Sequence, residues 1–183
     1  MSEPTQEHRA TALDHTAGQV VTGRERFLAI ARWLLDAADD EEQARREWKA
    51  GGIALLRCGR SFDAVCVPLV LVETAAGTTD RQRLAAYLHE ALLGGPVFLD
   101  TASHLVYCLL STSTPPDWRP PDCGHFGRDN YLGVPLPGGP DTARSYWLVE
   151  PDAPGAVCVL DAVSQMVTFA HFRAATRDGQ RRA

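Results

Sequence analysis

No apolar run in these 183 residues approaches the roughly 18 that a membrane-crossing helix needs. Nor does any C-x-x-C pair occur, so the five cysteines, Cys58, Cys66, Cys108, Cys123 and Cys158, fit neither a zinc ribbon nor an even-numbered disulfide framework. They read as small core residues. Lysine is almost missing: of 18 basic residues, Lys49 is the single lysine and the rest are arginine, a bias that fits a GC-rich coding genome. The 23 acidic residues outnumber them, and at a formal charge of −5 no global positive field draws the chain toward nucleic acid. Such binding needs a local basic groove. The opening MSEPTQEHRATALDH has no apolar signal-peptide core, so the expected location is the cytoplasm. The P-loop, G-x-G-x-x-G, G-x-S-x-G, H-E-x-x-H and H-x-E with P-C-x-x-C patterns are all missing too. The chemistry each supports therefore lacks its signature.

What is present is a 45% hydrophobic, 22% charged chain of a length that buries one full core. The expected fold is a single α+β domain with a mixed β-sheet and helices packed mainly on one face. Residues 1–22 read as a mobile lead-in, 23–172 as the domain and 173–183 as a basic, flexible tail.

Phe27, Ile30, Ala31, Leu34 and Leu35 recur at helical spacing, and a second helix runs from an Asp39-Asp40 cap through Trp48 to Gly51-Gly52. Ile53–Arg57 and Phe62–Val67 flank the turn Cys58-Gly59-Arg60-Ser61 and read as a strand pair or hairpin. Thr79 and Gln82 resemble a capping box for a helix that Gly94-Gly95 ends. Residues 96–100 and 104–110 read as strands, the second apolar on both faces and therefore central. The segment 111–129 holds four prolines without a period and reads as a long loop, a usual home for sites. Strands around 131–134 and 145–149 and a helix from Leu160 complete the chain.

Asp63 stands out because a lone carboxylate inside an apolar strand is costly to bury without a cation, a hydrogen-bonded partner or solvent. It is either a strand-end Mg²⁺ ligand or an acid turned outward or paired with Arg57 or Arg60. His104, after Ser103, is either a phosphate donor or a satisfied structural histidine. Cys123-Gly124-His125 offers two soft ligands, short of a zinc set.

The stretches GIALLRCGRSFDAVCVP, LLGGPV, Ser103-His104, NYLGVPLP and YWLV together resemble short actinobacterial proteins grouped with the N-terminal domain of bifunctional DNA primase/polymerases, over roughly residues 27–158. The resemblance implies a prim-pol-like fold and a two-metal phosphoryl-transfer site. There, carboxylates in a D-x-D pattern and a third acid hold Mg²⁺ or Mn²⁺, and an S-x-H histidine contacts nucleotide phosphates. On this chain it places Asp63 as catalytic acid and metal ligand, Asp122 or Asp129 as the third acid, and His104 with Ser103 at the phosphates. Val65 replaces the second acid, and Ser103 and His104 are adjacent, so they point to opposite sides of a strand. The resemblance therefore implies a degenerate domain that keeps a groove for nucleotide or single-stranded DNA, with Arg57, Arg60 and Arg128 on its backbone. An active enzyme drawing further acids from Asp100 and Asp122 is a third option. The alternative class is a non-catalytic module that binds a protein through the 111–129 loop, with Trp118 and Phe126 as its contacts.

Overall fold

The computed structural model describes residues 23–182; the lead-in expected over 1–22 lies outside the described residues. In chain order the elements are α1 (Gly23–Leu35), α2 (Glu41–Gly51), β1 (Ile53–Arg57), β2 (Asp63–Pro68), α3 (Leu69–Ala76) and α4 (Arg81–Ala91). Then follow β3 (Val97–Asp100), β4 (Leu105–Leu110), β5 (Gly124–Phe126), β6 (Tyr131–Pro135), β7 (Ser145–Val149) and α5 (Leu160–Arg182). Five helices and two sheets make an α+β domain, and no described helix is long and apolar enough to cross a membrane.

One sheet has five strands in the order β5-β2-β4-β3-β7, and the other pairs β1 with β6. Each of these pairings is antiparallel, which corrects the expectation of a mixed sheet. The apolar run of β4 is central, as its two-faced character predicts. The expected hairpin between β1 and β2 does not form. β1 pairs with β6 from Ile53↔Pro135 to Arg57↔Tyr131, and β2 lies in the other sheet. The turn between them depends on Gly59, whose φ is +86° and where a Cβ would lie 2.8 Å from the Arg128 Cα.

Both faces of the five-stranded sheet are covered, so the helices are not confined to one side. Val65, Val67, Cys108 and Leu110 face a core built with α3, α4 and α5, including Val72, Leu84, Leu88, Val163 and Val167. Ala64, Cys66, Phe98, Tyr107 and Leu109 face the other way, toward Ile30 and Leu34 of α1, Trp48 of α2 and the inner side of β1 and β6. This split follows from strand alternation, which sends successive side chains to opposite faces.

Local signals account for most helix boundaries. Asp40 caps α2, its Oδ1 accepting from the Gln43 N–H at 2.9 Å, and Gly52 closes that helix at φ +71°. In α4 the cap is Asp80, which accepts from Arg83 N–H, rather than the Thr79/Gln82 box. Two elements are not legible in the local pattern. α3 has the β-branched, strand-like sequence LVLVETAA, yet Pro68 precedes it, Leu69 N–H donates to the His104 carbonyl, and Val72 and Ala75 are buried. The three-residue β5 lies within the expected loop 111–129 and is held by pairing with β2. α5 runs through Arg182, so residues 173–182 continue a helix where a flexible tail is expected.

Candidate functional site: a cleft between the two sheets

The two sheets part to leave an open cleft of about 650 Å³. Ile53, Leu55, Tyr131 and Gly133 of the small sheet form one wall, and Tyr107, Phe126, Asp100 and Ser145 of the large sheet form the other, with Arg144 among the cleft residues. Leu55 and Tyr131 are exposed because alternation turns them away from the core side of the small sheet. Three aromatic residues line the cleft, the exposed Tyr131, Phe126 and the largely buried Tyr107, which Phe126 meets edge-on at 5.6 Å and which the buried Phe98 backs at 5.1 Å.

The polar groups of the cleft are unequally committed. Glu47 accepts from Leu55 N–H at 2.9 Å and from the Gln43 amide, which together hold its carboxyl below the usual range, the Leu55 bond contributing most. Asp100 Oδ1 accepts from Ala102 N–H at 3.0 Å in the turn after β3. Ser145 is 3% exposed, and its hydroxyl has no hydrogen-bond partner among the described residues. Arg144 is exposed at the cleft and has no ion-pair partner among the described residues.

Asp63 is not in this cleft. Its neighbours on the same side of β2, Val65 and Val67, belong to the helical core, while the cleft-side positions carry Ala64 and Cys66. It is buried against His125, with Nε2 to Oδ2 at 3.7 Å and side-chain exposures of 7% for His125 and 6% for Asp63. Burial raises the Asp63 pKa, and His125 and a Gly59 backbone hydrogen bond only partly offset this. Asp63 Oδ1 and His125 Nε2 have no hydrogen-bond partner among the described residues, and His125 Nδ1 lies 3.2 Å from the Pro116 carbonyl. Nearby, burial pushes the Cys58 thiol up to about 12, with the Asp63 charge a smaller cause, so this cysteine is an unreactive thiol and not a thiolate ligand.

The remaining expected site residues are dispersed. Arg57 pairs with Asp129 and Asp39, and Arg60 pairs with Asp39 at 2.8 Å and donates to the Ala38 carbonyl. Asp39 also accepts from the Tyr131 hydroxyl, the largest cause of its lowered pKa. The expected pairing of Asp63 with either arginine is thus replaced by a surface network that occupies both. Arg128 is exposed at the Gly59 turn. Ser103 and His104 occupy the exposed turn between β3 and β4, with His104 at φ +53°, beside a separate shallow groove with Pro68, Leu69 and Glu73. Asp122 is exposed 3.5 Å from His171. Trp118 packs toward the helical core and Phe126 toward the cleft, so they do not form one aromatic patch.

A pair of catalytic divalent ions requires several oxygen ligands. Among the described residues no group of three or more His, Cys, Asp or Glu side chains is arranged to hold a metal ion. Asp63, with a histidine and no second carboxylate beside it, does not fit Mg²⁺ or Mn²⁺ chemistry. The cleft residues Tyr107, Arg144 and Ser145 were missed by sequence reasoning. Only Tyr107 within β4 and the strand around 145–149 hinted at them, since it is the arrangement of the two sheets that brings them to one cleft. The chain matches no family model, no curated protein and no solved structure.

Proposed function

We propose that this chain is a primase/polymerase-like domain that does not polymerise nucleotides and instead binds a nucleotide or single-stranded nucleic acid in the cleft between its sheets. The observation that carries this reading is the cleft itself. It combines aromatic side chains, the exposed Tyr131 among them, against which a base can stack, an uncommitted guanidinium for a phosphate and, among the described residues, no carboxylate cluster for catalysis. Arg57 and Arg60, neutralised by Asp39 and Asp129, take no phosphate-binding role here, and the anion contact passes to Arg144. Asp63 contributes packing and a buried polar contact, not a metal ligand.

The test is titration with labelled nucleotides and single-stranded DNA at low and high salt, with and without Mn²⁺, alongside primer extension. Binding weakened by salt and by Arg144→Ala is expected, with no extension in any condition. A flat titration ends the binding half of the proposal. Extension that disappears in Asp63→Ala ends the non-catalytic half. The interaction-module alternative loses its proposed loop patch, because Trp118 and Phe126 serve opposite cores.

A further inference from the structure

In an antiparallel pair the backbone groups of successive residues point alternately toward and away from the partner strand. On this small sheet the phase is unambiguous. At one end Cys58 N–H donates to the Asn130 carbonyl at 2.9 Å, and at the other Leu136 N–H donates to the Gly52 carbonyl at 2.9 Å. Even-numbered residues therefore face each other across β1 and β6. Odd-numbered residues face outward. On β1 two of those outward N–H groups are covered: Leu55 N–H donates to Glu47, and Arg57 N–H donates to the Ala37 carbonyl at 2.9 Å. On β6 the covering is incomplete. Pro135 has no N–H, and its carbonyl accepts from the Trp147 indole at 3.1 Å. Among the described residues Tyr131 and Gly133 have no such partner and β6 pairs with no strand other than β1; both residues line the cleft.

We infer that the β6 edge at Tyr131 and Gly133 accepts an extended polypeptide segment as an added strand, with an acidic group of that segment held by Arg144. A row of alternating donors and acceptors is satisfied by another extended backbone, which is how exposed sheet edges recruit peptides. Charge selects the acidic group. Glu47 and Asp100 already accept backbone N–H groups, whereas Arg144 is uncommitted among the described residues. A terminal carboxylate supplies the required anion with two oxygens for the guanidinium fork. Peptide and nucleotide would occupy one cleft and exclude each other, but neither proposal needs the other to hold.

The probe is an acetylated pentapeptide of alternating valine and threonine with a free C-terminal carboxylate, compared with its C-terminal amide and with a form N-methylated at alternate residues. The readout is amide hydrogen exchange at Tyr131 and Gly133 in the full chain, because strand addition protects these two N–H groups directly. Millimolar acid peptide is expected to slow both by about tenfold, since exchange is quenched in the bound fraction. The C-terminal amide protects less, the N-methylated form not at all, and Arg144→Ala brings the acid peptide down to the amide's level. Gly133→Pro deletes one donor at an edge position that tolerates proline and abolishes binding, whereas Gly133→Ala keeps the donor and retains it. Thermal unfolding of both variants shows that they remain folded. No slowing by the acid peptide, or equal slowing by the N-methylated form, overturns the inference. Concentration-dependent protection without peptide, together with a dimer in sedimentation, overturns it in favour of a second copy.

Discussion

The two faces of the five-stranded sheet are built on different plans. On one, α3, α4 and α5 close over Val65, Val67, Cys108 and Leu110 with aliphatic side chains. On the other, α1, α2 and a separate two-stranded sheet close over Phe98, Tyr107 and Leu109, and this core, unlike the first, holds fully packed aromatic rings, Trp48, Phe62, Phe98, Tyr107 and Trp147. A helix bent over a sheet can seal it without leaving backbone groups unpaired. A second sheet cannot, because each strand it adds brings an edge. The cleft and the unpaired β6 backbone both lie where the second sheet begins. Burial of acids follows the same division: Asp63 is confined on the helical side, and the cleft side offers exposed or already bonded carboxylates.

The sharpest test of this contrast is truncation of one fully buried residue on each face. Phe98→Ala should lower unfolding free energy by about 3–5 kcal/mol, and Leu88→Ala by about 2–5 kcal/mol, in denaturant titrations. What separates them is the cleft. Phe98 supports the Tyr107 ring, so its loss should also change ligand binding and the amide exchange of Tyr131, while Leu88→Ala should leave both alone. Equal effects on the cleft would erase the distinction.

Next in size is Asp63. The folded state holds its proton more tightly than the unfolded chain, whose ordinary value is 3.8, because burial opposes the charge. Stability should therefore fall as pH rises from about 3.8 through the higher folded value, and Asp63→Asn should remove that slope. At neutral pH the asparagine amide supplies a hydrogen toward His125 and should match or exceed the native stability. Asp63→Ala, which removes the carboxyl and its 3.7 Å contact with His125, should likewise abolish the slope. Unfolding measured at several pH values decides this; a pH slope that survives in Asp63→Asn would assign it elsewhere.

The smallest effects belong to the indole tips that tie the two-sheet face together. Trp147→Phe removes the bond to the Pro135 carbonyl and Trp48→Phe the bond to the Val134 carbonyl, each expected to cost about 0.5–1.5 kcal/mol by thermal unfolding. Only Trp147→Phe should widen the open part of β6, read as faster exchange nearby. If Trp48→Phe does so equally, the Trp147 contact is not what closes that end of the strand.

How far the sequence reaches is clear from particular elements. Asp40 before an acidic turn, the Gly51-Gly52 stop, the two-faced apolar run of β4 and the stripe of α5 are local patterns, and each names its element without help from the rest of the chain. α3 escaped because β-branched residues favour extended backbone, and only burial of Val72 and Ala75 makes the helix the better arrangement. The candidate site was less legible. Asp63 is identifiable as an anomaly from its apolar neighbours, but the face it occupies and its histidine partner are not, since they depend on pairing β2 with the short β5.

Chain chemistry alone determined where most of the backbone becomes helix or strand, that the charge balance is acidic, and that the usual catalytic signatures are missing. Only tertiary structure decided that β1 leaves its sequence neighbour β2 for β6, that Arg57 and Arg60 are spent on Asp39 and Asp129, and that Arg144 stands free at a cleft. The reason is range: periodicity and caps act within a few residues, whereas strand partners and cleft walls are chosen by which distant apolar faces bury together.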